Sequence, residues 1–143
     1  MVKKIEITYF DGRLGPEYIH WEEKMTITRD RVTYKRKDYH KIDNDNYVPV
    51  ESSWKYIFNK KIDIYVERQD FNHLEILANL ITDLSDICGC GADIGSVEMT
   101  VYYDDGTKVK KRIFGSLSMN NNTQLKYFLE SLIPNDILEP YFL

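Results

Sequence analysis

Cys88 and Cys90, separated by a single glycine, are the first candidates for chemistry. A zinc site needs about four ligands, and its strong signature is a pair of cysteine knuckles. Here there is one knuckle, spaced C-x-C. The nearest histidine in sequence, His73, lies fifteen residues earlier, roughly 22 Å away along a continuous helix and out of reach of a shared ion. Asp86 and Asp93 add only oxygen. No cationic neighbour lowers a thiol pKa, and the spacing is too tight for a comfortable disulfide. The pair reads as a glycine turn with two small residues, and no metal is expected.

The other catalytic patterns are missing. His20, His40 and His73 occur singly, without an HExxH, His-x-His or local Cys–His arrangement. No serine sits in a G-x-S-x-G elbow, and Gly12-Arg-Leu-Gly15 fits neither phosphate-loop pattern. Glu22 and Glu23 are adjacent on an expected strand, so they face opposite sides and share neither proton nor ion. The parity of Glu23 sets it among Trp21 and Met25, where an inward carboxylate needs a partner or a raised pKa. A strand end or bulge at that point is the simpler expectation. Asp104-Asp105 reads as a hairpin tip, where aspartate bonds its own backbone. No catalytic residue and no cofactor is assigned.

What remains is a cationic face. Lys108, Lys110 and Arg112 share one side of the last expected strand, with Tyr102 across from them, and Lys35 and Lys37 form a second such pair. Basic residues interleaved with tyrosine suit an anion, an acidic partner or a single strand of RNA. Glu98 opposite Arg112 already neutralises part of that face, so an ordinary solvated surface is the plainer reading.

The elements that must carry these residues follow from periodicity. Over residues 70–86, apolar side chains at Phe71, Leu74, Leu77, Leu80/Ile81 and Leu84 repeat every three to four positions, which predicts a helix with one buried stripe. Asp70 or Asn72 can cap it, Asn72 with Glu75 makes a loose capping box, and Cys88-Gly89 ends it. A second helix is expected over 123–133, capped by Asn122 and stopped by Pro134, with Leu125, Phe128, Leu129 and Leu132 on one side.

Alternation predicts strands over 3–10, 18–28 and 31–39. The last two form a hairpin that sets Ile27 opposite Val32 and Met25 opposite Tyr34. Residues 40–53 read as a polar connection with a short edge strand at 47–50. Trp54, Tyr56 and Phe58, then Ile62, Ile64 and Val66, predict another hairpin around Asn59-Lys60-Lys61 that buries all six on one face. The clearest hairpin spans 96–104 and 107–114, with Gly106 third in its three-residue loop. It pairs Val101 with Val109, Val97 with Ile113 and Glu98 with Arg112, and it leaves Lys111 opposite Met99 on the apolar side. The tail over 137–143 is apolar enough to pack back on the body.

These elements make an α+β fold: an antiparallel sheet of about 5–7 strands with two amphipathic helices on one face, in the order β-β-β-β-β-α-β-β-α. At 143 residues, with 43% hydrophobic and 29% charged side chains, the chain is expected to form one domain over 1–143. A net charge of −4 disfavours broad nucleic-acid binding. The N-terminus alternates like a strand and carries no apolar run of signal-peptide length, and no stretch approaches a membrane span. A cytoplasmic protein without membrane association is therefore expected. The glycosylation triplet Asn121-Asn122-Thr123 then has no consequence.

The D-G hairpin followed by a helix ending at Ile-Pro resembles small bacterial domains, and the overall profile resembles immunity-type or inhibitor proteins. This favours a non-enzymatic module whose partner is another protein, with binding residues Tyr102, Lys108, Lys110 and Arg112. The alternatives are a small enzyme with a site between the sheet and residues 40–53, involving Glu23 or His40, or a single-stranded nucleic-acid binder using the last hairpin. Oligomeric state and strand order do not follow from the sequence.

Overall fold

The computed structural model describes residues 1–10, 21–38, 40–43, 46–49, 54–62, 73–84, 95–117, 122–136, 140 and 142–143. Along the chain they form β1 (Val2–Phe10), β2 (Trp21–Ile27), β3 (Arg31–Asp38), β4 (His40–Asp43), β5 (Asn46–Pro49), β6 (Lys55–Lys61), α1 (His73–Thr82), β7 (Ser96–Tyr103), β8 (Lys108–Phe114) and α2 (Thr123–Glu130). A six-stranded sheet runs in the order β6-β3-β2-β1-β7-β8, and every neighbouring pair is antiparallel. With the two helices this is an α+β architecture.

Alternation decides which side of the sheet is dry. Ile5 and Ile7 of β1, Met25 and Ile27 of β2, Val32 and Tyr34 of β3, and Val97, Met99 and Val101 of β7 all point to one face and are buried. The apolar stripe of α1 lies over β1, β7 and β8 and brings Leu74, Leu77, Ala78 and Ile81 into the same core. α2 packs beside α1 and adds Leu125 and Leu129, with Phe128 and Leu132 partly buried against them. The tail closes this core, since Phe142 and Leu143 are buried and Leu117 N–H donates to Phe142 O at 2.8 Å.

Two of the three expected hairpins have the expected registers. Ile27 faces Val32 and Met25 faces Tyr34. Val101 faces Val109, Val97 faces Ile113 and Glu98 faces Arg112. Gly106 takes φ 87° in the loop between β7 and β8, a left-handed conformation that glycine adopts without steric cost. Lys111 does lie opposite Met99. It is half-buried on β8, the last strand of the sheet, so its long stem covers apolar surface while the ammonium reaches the edge.

Several expectations are corrected. Asn59-Lys60-Lys61 is not a hairpin loop but the second half of β6, which pairs with β3: Thr33 faces Asn59, Val32 faces Lys60 and Arg31 faces Lys61. A register shift follows, in which Tyr34 faces Phe58 but Lys35 faces Tyr56. The extra residue, Ile57, reverses the phase of alternation. Phe58 stays inward, while Tyr56 turns to the outer face with Lys35. Ile64 and Val66 lie outside the described residues. Residues 40–53 hold a separate two-stranded sheet of β4 and β5 rather than an edge strand of the main one. β2 passes Glu23 without a bulge, pairing it with Tyr9 on one side and Arg36 on the other. Glu75 Oε1 accepts the Val2 N–H at 2.8 Å, tying α1 to the start of β1. Asn122 stands at the N-cap of α2 without a side-chain capping bond.

Candidate binding surface

Of the residues first considered for chemistry, Cys88, Cys90 and His20 lie outside the described residues, and so does the side chain of His40. His73 sits at the start of α1, where its Nε2 is 3.0 Å from Thr28 O in the β2–β3 turn. This packs helix to hairpin. Asp105 Oδ1 accepts from Thr107 N at 2.9 Å and Thr107 Oγ1 at 2.6 Å, the self-bonded tip expected of it. Those bonds, the hydroxyl first, hold its carboxyl below the usual range. Among the described residues no three His, Cys, Asp or Glu side chains group as a metal site, and no helix is long and apolar enough to cross a membrane.

Glu23 is wholly buried, with Arg36 Nη2 3.9 Å from its Oε1. The same guanidinium donates to the Tyr34 hydroxyl at 3.1 Å, and that phenol is hydrogen-bonded to Glu23. Burial first, and the Glu23 charge second, push the Tyr34 phenol far above the ordinary tyrosine range, so it stays a proton donor. The triad thus gives an inward carboxylate a cation and a hydroxyl at once. Extending the β2–β3 register by two pairs beyond Met25–Tyr34 leads from Glu23 to Arg36, so the missing partner was present in the sequence pattern.

The outer face of the sheet is polar and divides into two ends. At the β1–β7–β8 end the charges are interlocked. Lys4 and Lys24 lie 2.8 Å and 3.7 Å from Glu6 carboxylate oxygens. Tyr102 donates to Glu6 Oε2 at 3.2 Å and lies under the Lys4 ammonium. Lys110 and Arg112 lie 3.0 Å and 2.8 Å from Glu98. The structure therefore gathers Tyr102, Lys108, Lys110 and Arg112 on one face, but ties Tyr102, Lys110 and Arg112 to carboxylates of that same face. Lys108 is exposed beside the hairpin tip.

The β3–β6 end is different. Lys35 Nζ stands 5.0 Å from the Trp54 ring centroid and 5.8 Å from that of Tyr56, and Lys37 Nζ stands 5.8 Å from Trp54. Tyr56 is 66% exposed and Ile57 42%. β6 is the outermost strand at this end, and six of its seven residues are exposed. The sequence reading put Trp54 and Tyr56 in the core. Only the bulge at Ile57 reveals otherwise, and alternation alone gives no sign of it.

A cleft of about 290 Å³ lies between the end of α1 and the start of α2, lined by Leu80, Asp83, Leu84 and residues 122–125. Among the described residues its lining offers one carboxylate, Asp83, and no histidine, cysteine or cation. In comparisons with known proteins, no family model matches the chain, and no curated protein or solved structure matches it at a significant level.

Proposed function

We propose that this is a non-catalytic protein-binding module that meets its partner with the outer sheet face at the β3–β6 end. One observation carries the reading: a sheet edge with Tyr56 and Ile57 in solvent and Trp54 beside them, the rings of Trp54 and Tyr56 held against Lys35 and Lys37. Aromatic anchors ringed by polar groups are what protein interfaces concentrate. The interlocked β1–β7–β8 end supports a framing role there, because each of its ion pairs would have to be broken before Lys110 or Arg112 met another anion. An enzymatic role for Glu23 draws no support from a carboxylate committed to Tyr34 and Arg36 inside the core.

The test is affinity capture from extract of the cells that express the protein. It compares the native chain with Tyr56→Ala/Lys35→Glu and with Lys110→Ser/Arg112→Ser. A specific partner is expected with the native chain and with the second variant, and not with the first. Recovery of the same proteins by all three, or of none by any of them at any salt, overturns the proposal.

A further inference from the structure

Resting on that protein-binding reading, we infer that β6 is an acceptor edge, and that the partner adds an acidic extended segment beside it as a further strand of the sheet. Three observations converge. The first is backbone left open among the described residues. Ile62 N–H donates to Asp30 O at 2.7 Å. Antiparallel pairing alternates inward and outward groups, so the N–H and C=O of Lys60 and Phe58 address β3, while those of Asn59 and Lys61 point away from the sheet. A peptide backbone satisfies such groups, as in other strand-addition complexes.

The second is charge. The whole chain carries −4, yet β6 contains Lys55, Lys60 and Lys61 and no carboxylate. Lys61 lies on the outer side with Arg31, whereas Lys55 and Lys60 lie on the inner side with Arg36 and Val32. An incoming strand therefore meets cations on both of its faces.

The third is what the edge rejects. A second copy of the chain pairing antiparallel about Phe58 sets Lys55 against Lys61, and pairing about Lys60 or Lys61 sets that lysine against itself, so that of these registers the one about Asn59 alone avoids the clash. Like charges directly opposite are destabilising, and edge lysines of this kind keep copies apart. A single-stranded nucleic acid needs open ring faces for its bases, but lysine ammoniums already stand over Trp54 and Tyr56. It also brings no backbone ladder for Asn59 and Lys61.

The experiment follows amide hydrogen exchange in the full chain, with acetyl-Glu-Val-Glu-Val-Glu-Val-Glu-amide as the probe. At saturating peptide the amides of Asn59 and Lys61 are expected to exchange at least about tenfold more slowly. The affinity is expected to fall as salt rises, and the matching Lys-Val peptide is expected to have no effect. Asn59→Pro removes an outward N–H at an edge position that tolerates proline, and it is expected to abolish binding, whereas Asn59→Ala retains it. The exchange measurement on the native chain decides the matter even where the proline variant folds poorly. Unchanged exchange at Asn59 and Lys61 overturns strand addition. If Tyr56-dependent capture of a partner persists in that case, the protein-binding reading stands by itself. Tighter protection by oligouridylate than by the acidic peptide also overturns the inference, in favour of nucleic acid.

Discussion

Glu23 and Arg36 invite a direct energetic test, because a carboxylate with no exposure keeps its charge only through its neighbours. Removing one member of a buried ion pair typically costs about 3–5 kcal/mol, since the other charge is left uncompensated, whereas replacing both with apolar groups is often close to neutral. Arg36 is partly exposed, so Arg36→Met is expected at the low end of that range by urea denaturation. Glu23→Leu/Arg36→Met is expected to recover most of the loss, and additive losses would show that the two side chains do not act as a unit. Tyr34 adds an alkaline signature. Its phenol is raised by burial and by Glu23, so the native chain holds a proton that the unfolded chain releases near pH 10.0. Native stability is therefore expected to decline as pH rises past that point, and Tyr34→Phe is expected to flatten the decline in thermal melts followed by circular dichroism. The inward placement of Glu23 was readable from parity. Its partnership needed the cross-strand register to be carried further along the hairpin.

Local pattern specifies an element where the turn and both strands agree. Between β7 and β8 the Asp104-Asp105-Gly106 loop, the alternation and the cross-strand charges all select one register, and the hairpin adopts it. Gly106 has φ 87° with nothing within 4 Å of where a Cβ would stand, so Gly106→Ala carries only the left-handed backbone penalty, about 1–2 kcal/mol. Gly95 is the opposite case: a Cβ there falls onto the Tyr9 phenol ring. Gly95→Ala is expected to destabilise by displacing that ring, with a Tyr9 near-ultraviolet signal changed in the folded protein, while Gly106→Ala leaves it unaltered. β6 shows where such reading stops. Trp54, Tyr56 and Phe58 share a parity, and alternation gave no reason to separate them. The separation comes from β3, a strand remote in sequence, whose pairing inserts Ile57, turns Tyr56 to solvent and leaves Trp54 half-buried beneath Lys35 and Lys37.

Across the molecule, charge sets the acid limit of stability. For Glu6, burial works against ionisation, but the Lys4 hydrogen bond together with Lys24 and Lys4 charge outweighs it and leaves the carboxyl below its usual value. For Glu98 the Arg112 hydrogen bond leads and Lys110 adds to it, so that carboxyl is lowered as well. Both groups are more acidic in the folded chain than in the unfolded one. Their contribution is complete above the ordinary value of 4.5 and is lost as pH falls through the native values. Melting temperatures between about pH 7 and about pH 3 are expected to fall less steeply for Glu6→Gln/Glu98→Gln than for the native chain. Surface pairs of this kind contribute under about 1 kcal/mol each, so the difference is expected to be small and to shrink in salt. Periodicity and turn chemistry, which act over a few neighbouring residues, were enough to specify both helices, the adjacent hairpins and the dry face of the sheet. Which strands meet across long stretches of chain was a different matter: β1 with β7, β3 with β6, and the side on which Trp54 and Tyr56 emerge. Those pairings are chosen by how the whole set of apolar faces buries together, and no local stretch carries that information.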